Sequence, residues 1–209
     1  MERENEGCTN RMFGELLPGF WIGSLSSLRF LPDSIESSCI DLTVISVLDS
    51  EKLIALSESL LAARIETGKF HHMIWKLPDK PHAGGQFLSD GELPRILNLI
   101  DEAAVCPAES LCVQRRVCLV HCARGVSRSA AVCAAWYISR RGNTLSQAME
   151  LMRKARPQVQ PNLGFLASLR ALEQCGGDIE KAARRMKNRT LNEKPSCKAG
   201  EVDDKEEVI

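Results

Sequence analysis

The sequence predicts an α/β fold in which a central, mostly parallel sheet is flanked by helices. Three observations carry that reading. Short β-branched runs alternate with amphipathic segments along most of the chain. One buried run, Val117-Cys118-Leu119-Val120, opens through a Gly-containing loop into a helix of small residues. Aromatic residues are scarce, with six Phe, three Trp and one Tyr, so the core must be mostly aliphatic.

In chain order, residues 1–15 are polar and read as a disordered lead. Phe20-Trp21-Ile22-Gly23 is a short strand closed by Gly. Leu25, Leu28 and Leu31 at spacing three suggest a short helix that Pro32 stops. Leu42 to Leu48 is short and β-branched and reads as a buried strand, ended by Asp49-Ser50. Leu53 to Ile65 suits a helix packed on a sheet, and Phe70 to Leu77 is the next strand, ending at Pro78-Asp79. Residues 80–89 hold Pro81, Gly84 and Gly85 and read as a loop. Asp90 caps a helix that places Leu93, Ile96, Leu97 and Ile100 on one face. Ser129 to Arg140 is the small-residue helix, and Gly142-Asn143 ends it. Thr144 caps Leu145 to Ala155, Pro157 and Pro161 bracket a turn, and Asn162 to Gln174 forms another helix. Asp178 to Met186 adds a short helix, and residues 187–209 read as a disordered polar tail.

The 209 residues carry 27 Lys+Arg and 27 Asp+Glu. Zero net charge argues against a general nucleic-acid binder, although it leaves room for a local basic patch. The 44% hydrophobic content supports a sizeable core, and the length suits one domain of about 150–200 residues. The nine cysteines, with no signal peptide ahead of them, point to reduced thiols in a cytoplasmic protein, with the nucleus also open. No membrane span, myristoylation or prenylation signal is expected. Cys39, Cys106, Cys112, Cys118, Cys133 and Cys175 read as packing residues, and Cys8 and Cys197 fall in the expected tails.

Cys122 differs from the rest. It leaves the buried strand at the carboxyl end, where parallel sheets bind ligands. From there the chain runs Ala123-Arg124-Gly125-Val126-Ser127-Arg128-Ser129 into a helix. A loop wrapping into a helix N-terminus turns backbone N–H groups inward and forms an anion nest. Gly125 permits the backbone angles of the wrap. Arg128 can donate two parallel hydrogen bonds to an oxyanion. A cysteine at such a nest should be a thiolate near neutral pH and a nucleophile for phosphorus. A metal site at His121-Cys122 is not expected, because neighbours on an extended chain face opposite ways and no ligand spacing accompanies them.

The stretch His121-Cys122-Ala123-Arg124-Gly125-Val126-Ser127-Arg128-Ser129 resembles the phosphate-binding loop of cysteine-dependent protein phosphatases. With Ala130-Ala131-Val132 it is most similar to the dual-specificity phosphatases. Pro18-Gly19-Phe20-Trp21-Ile22-Gly23-Ser24 resembles that family's opening strand. Arg156-Pro157 and Pro161-Asn162-Leu163-Gly164-Phe165 resemble a later conserved stretch of the family. The resemblance spans residues 16–175, the expected catalytic domain. It implies hydrolysis of phosphotyrosine and phosphoserine/threonine in proteins through a phosphocysteine. It implies Asp79, just past its strand, as general acid, with Asp90 as the rival. It gives Ser129 the part of assisting thiolate departure and His121 that of orienting the loop and tuning the thiolate. Asn162 either braces the loop or caps its helix. No cofactor or metal is needed, because the loop and Arg128 supply the electrostatics. A phosphorylated protein is the expected partner, and a monomer is the default state.

Arg124 adds a second cation to the loop, either a solvated rim residue or a contact for acidic or phosphoinositide substrates. A phosphoinositide or RNA 5′-phosphatase with the same loop is the alternative activity, and a phospho-binding scaffold the alternative class. His71-His72 should place one ring inward and one outward. Trp21, Trp75 and Trp136 read as packing, and Lys181, Arg184 and Arg185 as a solvated helix face.

Overall fold

The computed structural model describes residues 13–30, 40–65, 70–104 and 115–192. Strands β1 (Phe13–Leu17), β2 (Phe20–Ser24), β3 (Ile40–Leu48), β4 (Phe70–Lys76) and β5 (Arg115–Cys122) form one sheet in the order β1-β2-β5-β3-β4. Only the β1–β2 pair is antiparallel. Strand β5 lies at the centre, paired to β2 and β3, so both of its faces are covered. Its composition shows this, with apolar residues on both sides rather than one.

Alternation along β5 sorts its side chains between two layers. Cys118, Val120 and Cys122 face the larger core with Phe20, Ile22, Ile45, Val47 and Trp136. Val117 and Leu119 face the smaller one with Leu42, Val44 and Leu61. Helix α1 (Glu51–Ile65) covers the smaller core. The larger core takes α2 (Gly84–Ser89), α3 (Glu92–Ala104), α4 (Arg128–Arg141), α5 (Leu145–Ala155), α6 (Leu163–Gln174) and α7 (Ile179–Asn192). Helix α4 is buried from Arg128 to Ile138, and its alanines let it lie close under the sheet. It stops at Gly142, whose φ of 65° is the left-handed C-terminal conformation. A reciprocal Thr144–Gln147 capping box then starts α5.

Three boundaries differ from the sequence expectation. Strand β1 starts at Phe13, inside the stretch read as a disordered lead. Phe13 is buried and meets Trp21 edge-on at 6.5 Å, which anchors β1 to β2. Residues 80–89 are not an irregular loop but a 3₁₀ turn (Pro81–Ala83) followed by α2. Here glycines permit close packing rather than breaking structure: a Cβ on Gly84 would stand 2.4 Å from the Gly164 carbonyl oxygen. Helix α7 continues to Asn192, beyond the Ile179, Ala182, Ala183 and Met186 stripe that packs on the core. Residues 1–12 and 193–209, with Cys8, Cys39, Cys106, Cys112 and Cys197, lie outside the described residues.

Candidate active site

Strand β5 ends at Cys122, and α4 begins at Arg128. Between them the chain turns back on itself, with Gly125 at φ 66°. A side chain there would be strained and would strike the Gly23 carbonyl oxygen at 2.5 Å. The loop is held from outside through its carbonyls. Leu25 N–H donates to Ala123 O at 3.3 Å, and Gln160 N–H donates to Val126 O at 2.7 Å. Arg156 donates through Nη2 to Arg124 O at 3.2 Å and through Nε to Gly125 O at 2.9 Å. Four consecutive carbonyls are thus drawn outward, which turns their N–H groups to the concave side. Ser127, the N-cap of α4, makes no side-chain bond to its own helix, so the helix N-terminus keeps donors for an anion.

Cys122 sits at the centre and is only 2% exposed. Burial by itself would raise its pKa. The Ser129 hydroxyl, the backbone N–H groups of Ser129 and Val126, and the charge of Arg128 outweigh that and lower it. The Ser129 Oγ donates to Sγ at 3.3 Å and the Gly125 N–H at 3.2 Å. Burial instead pushes the thiols of Cys118 and Cys133 up. Only Cys122 among these three is set up as a thiolate.

Asp79 lies at the loop's edge. Its Oδ1 accepts from Ser127 Oγ at 2.6 Å and from Asn162 Nδ2 at 2.9 Å, and its Oδ2 is 3.8 Å from Arg128 Nε. Asn162 does both things expected of it. Its Oδ1 caps α6 at the Phe165 N–H, and its own N–H donates to Ser127 Oγ in the loop. Asp90 is elsewhere engaged. Its carboxylate accepts from Trp75 Nε1 at 2.7 Å and from the Glu92 N–H at 3.0 Å, so it caps α3 and anchors a core indole. Arg124 is exposed on the rim, while Ala123 and Val126 are partly buried in the loop wall.

His121 does not reach the sulfur. Alternation on β5 turns its ring to the α1 side, where Nε2 lies 2.6 Å from Ser46 Oγ. Ser46 in turn lies 3.0 Å from Ser57 Oγ and 2.7 Å from His72 Nε2. Complete burial holds His121 neutral, with its pKa at about 3. Any influence on Cys122 therefore runs through the backbone. His72 faces inward and His71 outward, as the strand period requires.

Two residues of the site were given no role from the sequence. Arg156 is 1% exposed and supplies two of the four outward bonds. The sequence offered it only within the family-like Arg156-Pro157 pair, with no contact assigned to it. Asp49 pairs with Arg128, its Oδ1 2.8 Å from Nη1. In the sequence it marked only the end of β3.

Residues 90–175 match the family described as dual specificity phosphatase, catalytic domain. Dual specificity phosphatase 28 of Mus musculus is 51% identical over 57 residues, covering 27% of this chain and 35% of that protein. The chain thus spans about a third of the length of that curated relative. Among solved structures, that of DUSP15 is similar with a TM-score of 0.59 at 20% identity, over 86% of this chain and 97% of that one. That of PTPMT1 in complex with PI(5)P gives 0.55 at 16% identity, over 83% and 98%. The structures establish the shared fold, and the family match falls on the segment that carries the Cys122 loop and the helices around it. Residues 90–175, which carry the Cys122 loop, are thus similar in sequence to the dual specificity phosphatase catalytic domain.

Proposed function

We propose that the protein is a cysteine-dependent phosphatase of phosphoproteins, accepting phosphotyrosine and phosphoserine/threonine. The observation that carries this is the Cys122 sulfur, held by the Ser129 hydroxyl and the Gly125 N–H within a loop whose carbonyls from Ala123 to Val126 are drawn outward. In the first step Sγ attacks phosphorus, and the phosphorus–oxygen bond to the substrate breaks. The loop N–H groups and Arg128 stabilise the equatorial oxygens. Asp79 gives its proton to the leaving oxygen. In the second step water attacks the phosphocysteine, and Asp79 takes a proton from that water. The sulfur leaves as a thiolate that accepts the Ser129 hydroxyl hydrogen bond, and inorganic phosphate departs.

Turnover of an aryl phosphate tests the reading. Cys122→Ser should abolish turnover while oxyanions such as tungstate still bind. Retained turnover would exclude the covalent route, and oxyanion binding without wild-type turnover would indicate a phospho-binding scaffold. Asp79→Ala should cost about 10²–10⁴-fold on poor leaving groups and far less on good ones. Exposed Arg124 favours a second reading, a phosphoinositide monophosphate as substrate. The fold shared with PTPMT1 in complex with PI(5)P is compatible with that reading. Side-by-side rates on phosphopeptides and phosphoinositides, with Arg124→Glu, decide between them. A selective loss on lipid would favour the second reading.

A further inference from the structure

Arg128 is nearly enclosed, its side chain 5% exposed. One end of the guanidinium is already engaged. Nη1 lies 2.8 Å from Asp49 Oδ1 and donates to the Leu77 carbonyl at 3.2 Å. These acceptors follow directly on β3 and β4, the two parallel strands beside β5 on that side of the sheet. Nε is buried and makes no hydrogen bond among the described residues. A guanidinium is a rigid planar fork, so fixing one end sets the direction of the other edge. The Asp79 backbone N–H also helps to keep the Asp49 carboxylate ionised, so one side chain touches both the arginine and the residue carrying the acid.

We propose that Asp49 is a positioning residue for Arg128: it anchors Nη1 so that the Nε edge meets two oxygens of the bound phosphoryl group. The proposal rests on the phosphatase reading. Asp49 itself does not touch the substrate. It acts through the arginine, and because a carboxylate beside a cation also draws charge from it, the two effects have opposite signs in experiment.

The test uses the full chain with Asp49→Ala and Asp49→Asn, each alone and with Arg128→Lys. The readouts are kcat and KM on an aryl phosphate and the affinity for tungstate. Asp49→Ala should lower kcat/KM and weaken tungstate binding by about 10-fold or more, as misplacement of a binding group does. Asp49→Asn keeps an oxygen acceptor toward Nη1 and should recover most of both. With Arg128→Lys, which lacks the fork, Asp49→Ala should change kcat/KM by less than about 2-fold. Tighter tungstate binding in Asp49→Ala would show that charge withdrawal outweighs positioning and would overturn the proposal. So would an Asn variant as impaired as the Ala one, or an undiminished loss in the lysine background. A wild-type chain that neither turns over aryl phosphate nor binds tungstate would overturn the phosphatase reading itself. An active wild type matched by Asp49→Ala would overturn this inference alone.

Discussion

At the residue scale the decisive balance is at Cys122. Enclosure opposes charge on sulfur, while one hydroxyl, two N–H groups and a guanidinium favour it, and the second set prevails. Removing one donor should shift the balance measurably. Ser129→Ala is expected to move the inflection of the alkylation-rate profile to higher pH and to slow phosphocysteine hydrolysis more than its formation. Iodoacetamide titration and burst kinetics measure the two. In the same experiment Cys118 and Cys133 should stay unmodified in the folded chain, because both are completely buried with raised pKa values. Alkylation of either before Cys122 would contradict the assignment of the reactive thiol. A low-pKa sulfur should also be inactivated by peroxide and recovered by a thiol reductant.

Among the elements, the contact between α6 and the turn before α2 is the tightest. A Cβ on Gly164 would fall 1.8 Å from the Pro81 carbonyl oxygen, and that atom is backbone. Gly164→Ala should therefore lower Tm, with a cost of about 1–3 kcal/mol, and should displace the turn that follows Asp79. Circular-dichroism melts check the first effect, and a larger drop in kcat on poor than on good leaving groups checks the second. This contact also shows where sequence reading ends. Pro81, Gly84 and Gly85 are turn-formers by composition, so residues 80–89 read as loop. The partner of Pro81 and Gly84, Gly164, is far away in the chain, and only the close approach reveals why glycine stands at 84 and 164. Strands β2 to β5, the capped helices α5 and α6, and the Cys122 loop were legible because their signals are local. The roles of Asp49 and Arg156 were not, since each acts on a loop distant in sequence.

Over the whole molecule, the buried Ser46, Ser57, His72 and His121 group makes stability depend on pH. Burial lowers the pKa of both imidazoles, that of His121 to about 3. The unfolded chain takes up protons below about pH 6.5 while the folded chain does not. Their contribution is complete above that pH and is lost as pH falls toward 3. Between pH 6.5 and 5 the His121 share is about 2 kcal/mol. Urea denaturation at pH 7.5 and 5.0 should show the decline, and a His121→Asn variant, if folded, should flatten it. Equal midpoints in wild type at both pH values would contradict the account.

The lodging of Asp79 has a kinetic consequence. Its carboxylate rests between Ser127 and Asn162, and the 3₁₀ turn behind it is wedged against α6 with no room for even one methyl group. On the proposed mechanism, a proton donor seated this way has no gate to swing shut after substrate arrives. Solvent friction should then have nothing to slow: with added sucrose or glycerol, kcat should stay constant while diffusional encounter slows, and no lag should precede the first turnover in stopped flow.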